Sequence, residues 1–228
     1  MLLTNPTLLR YHIEAVWGIQ LPPLEQKNDV TVLLRDALPA WRLCAAEIAG
    51  GRICIWRSDV EGAVRGELLA RLDEALLLPP TSTLPPGVSR EVAFRLAAEP
   101  VIDLAAANRV ARLLTPDDYE LIETFEAGIA DAFLQPELGP LSGVAVDGLL
   151  FSLAHSSRRT REACELGIET LPEARRKGYA LAATIVWSAA VMQEGLTPIY
   201  SAFAVNTPSL NLAVAAGYRE FARVATVE

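Results

Sequence analysis

Residues 163–195 constrain this chain more than any other stretch. Along 163–170 apolar Cys164, Leu166 and Ile168 alternate with Glu165 and Glu169 in the manner of a strand. Residues 171–178 form a loop rich in charge that ends in glycine, and Ala180 to Gln193 is an apolar helix that stops near Gly195. Strand, loop and helix in that order place loop amides at a helix N-terminus. There the N–H groups of the first turn have no internal partner and the helix dipole is positive. Gly178 lets a ligand approach the backbone closely, Ala180 keeps the first turn narrow, and Arg175, Arg176 and Lys177 add positive charge. Such a site suits a pyrophosphate. Residues 158–177 hold six of the chain's 20 cationic side chains against four carboxylates, a local positive excess in a chain whose net charge is −8.

Composition narrows the remaining classes. At 228 residues there is room for one large domain or two small ones, and 51% apolar residues can bury a real core. The longest nearly unbroken apolar run, Ala180 to Met192, is 13 residues and too short to span a bilayer. Arg10, His12 and Glu14 stand where a signal peptide would need apolar residues, so a cytoplasmic location is expected, with no membrane partner. The acidic balance argues against nucleic acid as a partner. Cys44, Cys54 and Cys164 are odd in number and form no close ligand pair, so they read as small buried residues. Cys44 and Cys54 fall in adjacent expected strands and could be neighbours. Two histidines are too few for a histidine metal site, and no metal is expected; a Cys164–His155 nucleophilic pair is conceivable. There is neither a P-loop lysine followed by Ser/Thr nor a Gly-x-Gly-x-x-Gly run.

The rest of the chain alternates strand and helix signals. Pro6 sits in the first turn of a helix from Asn5 to about Trp17. Trp41 to Ile48 and Arg52 to Trp56 are apolar runs joined by Gly50-Gly51, a hairpin signal. Ser58 and Glu61 have the spacing of a capping box and open a helix to about Leu77. A stiff loop with four prolines follows, then a short element over 88–98. Thr115-Pro116-Asp117-Asp118 starts a helix expected to reach about Phe133. Asp147-Gly148 is a tight-turn signal between two strands within 143–156. After the long apolar helix come a strand over 199–205, a short helix over 209–216 ended by Gly217, and a strand over 218–227.

Arg175-x-x-Gly178-x-Ala180, preceded by Pro172 and a strand, resembles the acetyl-CoA loop of the GNAT superfamily of N-acetyltransferases. Downstream, Asn206-x-x-Ser209 after a strand and Leu212 to Gly217-Tyr218 resemble that family's short helix and Gly-aromatic ending. The likeness covers residues 111–228. It implies a mixed α/β fold: a GNAT-like acetyl-CoA-binding domain over 111–228 and an extra N-terminal α+β region over 1–110, which is expected to help form the acceptor cleft or an interface.

The resemblance also implies roles. The strand before the loop is splayed from the next one, and the pantetheine arm of acetyl-CoA lies in the gap against backbone groups of Ile168 and Thr170. An N–H near Ile168 stabilises the oxyanion formed when an amine attacks the thioester. Amides of Arg176, Lys177, Gly178, Tyr179 and Ala180 hold the pyrophosphate with help from Arg175, and Asn206 and Ser209 face the cofactor. The family's usual acid, a tyrosine in the short helix, corresponds here to Ala213; Tyr218, Tyr179 or solvent can replace it. An ammonium substrate must also lose a proton, and Glu169 or Glu165 is the candidate base, Glu169 being preferred as next to the oxyanion position. His155 reads as packing or as a residue lining the acceptor cleft. The expected activity is acetyl transfer from acetyl-CoA to a primary amine of a small molecule, and the acidic surface favours a cationic one. The alternative is a non-catalytic acyl-CoA-binding sensor or partner protein. A homo-oligomer is left open.

Overall fold

The computed structural model describes residues 3–25, 29–32, 39–49 and 51–228. In chain order the elements are α1 (Asn5–Trp17), β1 (Asp29–Val32), β2 (Leu43–Ile48), β3 (Gly51–Arg57), α2 (Gly62–Leu77), β4 (Val88–Leu96), α3 (Leu104–Asn108) and β5 (Arg112–Leu114). Then come α4 (Tyr119–Glu123), α5 (Ala130–Phe133), β6 (Leu141–Val146), β7 (Leu149–Arg159), β8 (Ala163–Thr170), α6 (Tyr179–Gln193), β9 (Thr197–Phe203), α7 (Thr207–Ala215) and β10 (Tyr218–Val227). The fold is mixed α and β, as expected. Its chain divides into two compact units: Met1–Arg95 with Ser201–Leu210 and Glu220–Glu228, and Leu96–Tyr200 with Asn211–Arg219.

In the first unit, β1 runs parallel to β3, while β3 with β2 and β2 with β10 are antiparallel. The β2–β3 hairpin is closed by the pair Ile48 and Gly51; Gly50 lies outside the described residues. α2 buries Leu68 and Leu72 against Leu43, Trp56, Ala225 and Val227. The capping box expected at Ser58 and Glu61 does not form. The Arg57 guanidinium instead holds Asp59 (Nε to Oδ1, 2.7 Å), Val60 N–H bonds the Arg57 carbonyl, and the helix begins at Gly62. Cys54 stands opposite Ala45 and Cys44 opposite Ile55, so the two thiols point to opposite faces of the hairpin.

The second unit holds the strand order β9-β8-β7-β6-β5, β9 as far as Tyr200, with β8 parallel to β9 and the other pairs antiparallel. Asp147 (φ 51°) and Gly148 (φ 79°) both adopt the left-handed conformation of a type I′ turn, which is why this dipeptide closes the β6–β7 hairpin. α6 covers one face. Ser142 Oγ donates to the Ala183 carbonyl at 2.7 Å, and Trp187 Nε1 donates to Ser156 Oγ at 3.3 Å. Because Ser142, Ala154 and Ile168 stand side by side across three strands, Ile168 shares that face. The other face is packed by α4 and α5, through Ile122, Phe125, Ala130 and Phe133 against Leu141, Leu150 and Leu153.

A continuous helix from Thr115 to Phe133 is expected from sequence and is not found. Pro116–Asp118 is a 3-10 turn, α4 stops at Glu123, and α5 starts only at Ala130. The Glu123 carboxylate accepts from the Gly128 and Ala130 N–H groups (2.8 and 2.9 Å), so the chain folds back on its own helix end. Those two charge-assisted bonds outweigh the single-helix alternative. Among the described residues no helix is long and apolar enough to cross a membrane.

Candidate active site

β8 is the centre of the site. It pairs with β9 only at Ala163, Cys164 and Glu165, opposite Thr197, Pro198 and Ile199. Beyond Glu165, β8 runs on for five residues to Thr170, and among the described residues no strand register continues along that edge. Its other edge stays paired to β7 throughout. Leu171 N–H bonds the Phe151 carbonyl, and Ser152 Oγ donates to the Glu169 carbonyl. Backbone groups alternate along a strand, so Glu169 and Gly167 turn theirs toward β7, and Ile168 and Thr170 turn N–H and C=O toward the open edge. The Thr170 hydroxyl is itself tied to Ser152 Oγ at 2.8 Å, which fixes the end of the strand.

The loop after β8 continues the same surface. Pro172–Ala174 makes one 3-10 turn, Arg176 takes φ 62° and Gly178 φ 80°, and α6 starts at Tyr179. The first helical bond runs from Ala182 N–H to the Gly178 carbonyl, so the amides of Tyr179, Ala180 and Leu181 precede it. A Cβ placed on Gly178 would meet nothing within 4 Å, so the glycine faces open space over the helix end. Arg175, Arg176 and Lys177 are exposed, and the Lys177 ammonium lies 5.9 Å from the centre of the Tyr179 ring. A backbone cradle, three cations and a helix N-terminus are thus contiguous with the open strand edge.

The opposite face of β8 carries Glu165, Gly167 and Glu169. Glu169 is the open one, its side chain 53% exposed, with Oε1 at 3.8 Å from His155 Nε2. Glu165 is buried at 4% exposure, directly across from Arg158. His155 is buried against Phe133, edge to face at 4.8 Å between ring centres. Burial, outweighing a backbone contact from Ser156, lowers its pKa from 6.5 to about 4, so the imidazole is neutral at pH 7. Cys164 faces the α6 side and His155 the other, so they form no nucleophilic pair; burial also pushes the Cys164 thiol up.

Asn206 and Ser209 belong to the first unit, where Asn206 Oδ1 accepts from Ser209 N–H at 3.2 Å and caps the start of α7. Of the replacement acids, Tyr218 is fully buried, its hydroxyl bonded to Ser188 Oγ at 2.7 Å and its pKa pushed well up by burial. Tyr179 is half-buried at the helix start, with its ring 6.4 Å from Phe151. Ala213 is buried. Among the described residues there is no group of three or more His, Cys, Asp and Glu that could hold a metal ion. Sequence reasoning passed over Gly167, whose signal was a glycine inside a strand pattern.

A family model for GNAT acetyltransferases matches residues 123–223, which span β6 to β9, α7 and the glycine loop. Over residues 123–223, less than half of the chain, the sequence is similar to that family. Among solved structures, a GNAT-family acetyltransferase from Colwellia psychrerythraea is similar at 15% identity over 77% of this chain and 75% of that one, with a TM-score of 0.50. A GNAT-family protein from Novosphingobium aromaticivorans is 23% identical over 65% of this chain and 70% of its own, with a TM-score of 0.47. The aminoglycoside N-acetyltransferase AAC(6')-Iy, solved with CoA, is 18% identical over 49% and 92%, with a TM-score of 0.40. No curated protein matches the chain. At 15% identity the likeness to the Colwellia psychrerythraea structure shows the fold alone.

Proposed function

We propose that this protein binds acetyl-CoA at the open edge of β8 and transfers the acetyl group to a primary amine of a small molecule. The observation that carries the reading is that the β8–β9 register ends at Glu165, so that among the described residues the backbone groups of Ile168 and Thr170 lie on a strand edge with no continuing register, next to the Gly178 loop. Those backbone groups hold an extended amide-bearing chain by strand-like hydrogen bonds. The amides of residues 176–180 and the Arg175 guanidinium bind two phosphates where the helix dipole is positive. Glu169 takes the proton of the arriving ammonium, directly or through one water. The freed nitrogen attacks the thioester carbonyl carbon; a C–N bond forms, the C–S bond breaks, and sulfur leaves with the electron pair and takes a proton. The Ile168 N–H faces the carbonyl oxygen as it gains charge, a contribution of roughly 3 kcal/mol for a fixed donor of this kind. The overall charge of −8 favours a cationic acceptor.

Gly178 gives the test. At φ 80°, with open space above it, it is a position where a side chain obstructs a ligand and not the fold's interior. Gly178→Val is expected to weaken acetyl-CoA binding at least about tenfold, or about 1.4 kcal/mol, by calorimetry. Gly178→Asn, which tolerates the left-handed backbone, separates obstruction from strain. Unchanged affinity in both variants places the cofactor elsewhere.

A second reading, an acyl-CoA-binding protein without turnover, is favoured by one observation: the acid position is Ala213, and Tyr218 is sealed against Ser188. Binding of acetyl-CoA with no product from a panel of primary amines and polyamines selects it. The thiol's ordinary pKa near 8.5 lets the leaving sulfur take its proton from water, so the missing tyrosine does not itself exclude catalysis.

A further inference from the structure

His155 and Gly167 stand directly opposite each other on β7 and β8, and Glu169 is the next residue on the same face. A Cβ at position 167 would lie 2.3 Å from His155 Nε2 and 2.4 Å from Cε1. The ring therefore lies across the glycine, in space that any other residue would occupy. Phe133 closes one side of it at 4.8 Å, and the ring's Nε2 points along the strand toward the Glu169 carboxylate at 3.8 Å. Glu169 by itself is a long, half-exposed side chain with free rotamers. A base that must meet an ammonium within hydrogen-bond reach gains rate from being held.

We propose that His155 is a positioning residue for Glu169, with a neutral imidazole lodged over Gly167 presenting its Nε2–H to the carboxylate. The proposal rests on the reading of Glu169 as base and adds a residue that acts through it. A small rotation of the exposed glutamate closes 3.8 Å to a hydrogen bond. The donor is neutral, so it orients the carboxylate without transferring a proton to it.

The test compares kcat and KM for an accepted amine and for acetyl-CoA. His155→Leu removes the donor and keeps apolar bulk; His155→Gln can place an amide N–H near the former Nε2. His155→Leu is expected to lower kcat about tenfold with KM for acetyl-CoA unchanged, and His155→Gln to recover at least half of that loss. In a Glu169→Gln background, His155→Leu should add less than a twofold loss, because the group it positions is no longer a base. Gly167→Ala, which displaces the ring, should reproduce the His155→Leu loss and add nothing to it. Equal losses in the Leu and Gln variants, or a His155→Leu loss that multiplies fully with that of Glu169→Gln, overturn the proposal. If the unmutated protein turns over no amine, the base reading fails, and the arrangement is still read by nitrogen NMR of the imidazole. An Nε2–H tautomer whose Nε2 resonance moves in Glu169→Gln supports the contact; an Nδ1–H tautomer, or a ring indifferent to Glu169→Gln, overturns it.

Discussion

Glu169→Gln is expected to leave acetyl-CoA affinity nearly unchanged and to lower turnover by about 10²–10⁴-fold, the usual size of a general-base contribution. Glutamine keeps the size of the side chain and can still contact His155 and the acceptor, but it cannot take a proton at neutral pH. The proposed cofactor surface is the open edge of β8, where the backbone groups of Ile168 and Thr170 point, while the Glu169 side chain projects from the sheet face away from α6. That separation is why binding and chemistry should part in this variant. Part of the lost rate should return at high pH, where more of the amine arrives already deprotonated. If Glu169 is only a solvated strand residue, the substitution changes stability by less than about 0.5 kcal/mol and leaves turnover alone. The pH–rate profiles of both proteins with one good acceptor decide between these, and identical profiles move the base to Glu165 or to a water chain. Glu165 is the weaker candidate on access, since it is buried within the sheet face.

What could be read from the sequence was what is decided locally. The glycine loop, the apolar α6 and the Asp147-Gly148 turn were legible because neighbours in sequence fix them, and all three stand where expected. Helix 115–133 was misread because its ending depends on a carboxylate, Glu123, reaching amides five and seven residues ahead. A capping pattern at the start of a helix carries no information about a competitor that captures its end. The start of α2 is likewise decided outside the capping pattern, by the Arg57 guanidinium that holds Asp59. The end of the β8–β9 register at Glu165 is not legible locally, because the register of strands separated by a whole helix is set by packing that no local pattern encodes. From sequence alone His155 is a residue that can line the cleft. Its relation to Glu169 needed the cross-strand register, which puts Gly167 opposite the ring.

Acid should destabilise this protein in a window that His155 defines. In the unfolded chain the imidazole titrates near 6.5, and in the folded protein burial holds it at about 4. Between those values the unfolded chain binds a proton that the folded one refuses, so stability rises with pH across the window and falls as pH drops through it. The contribution is fully present above pH 6.5. By pH 5 roughly 2 kcal/mol of it is lost and near pH 4 about 3 kcal/mol, at 1.36 kcal/mol per unit of pKa difference. Below about 4 both states are protonated and the loss stops growing. The carboxylates respond in a lower range. A hydrogen bond from Arg112 holds Asp118 below its ordinary pKa, and the Gly128 and Ala130 amides do the same for Glu123. Their contribution is present above the ordinary carboxylate range and is lost only as pH falls through their depressed values, beneath most of the histidine window. Urea melts of the unmutated protein and of His155→Gln at pH 7.5, 6.5, 5.5 and 5 isolate the effect. The unmutated protein should lose about 2 kcal/mol more than the variant over this range, because glutamine buries the same site without a group that wants to charge. Parallel losses in the two proteins would mean that the imidazole reaches water in the folded state.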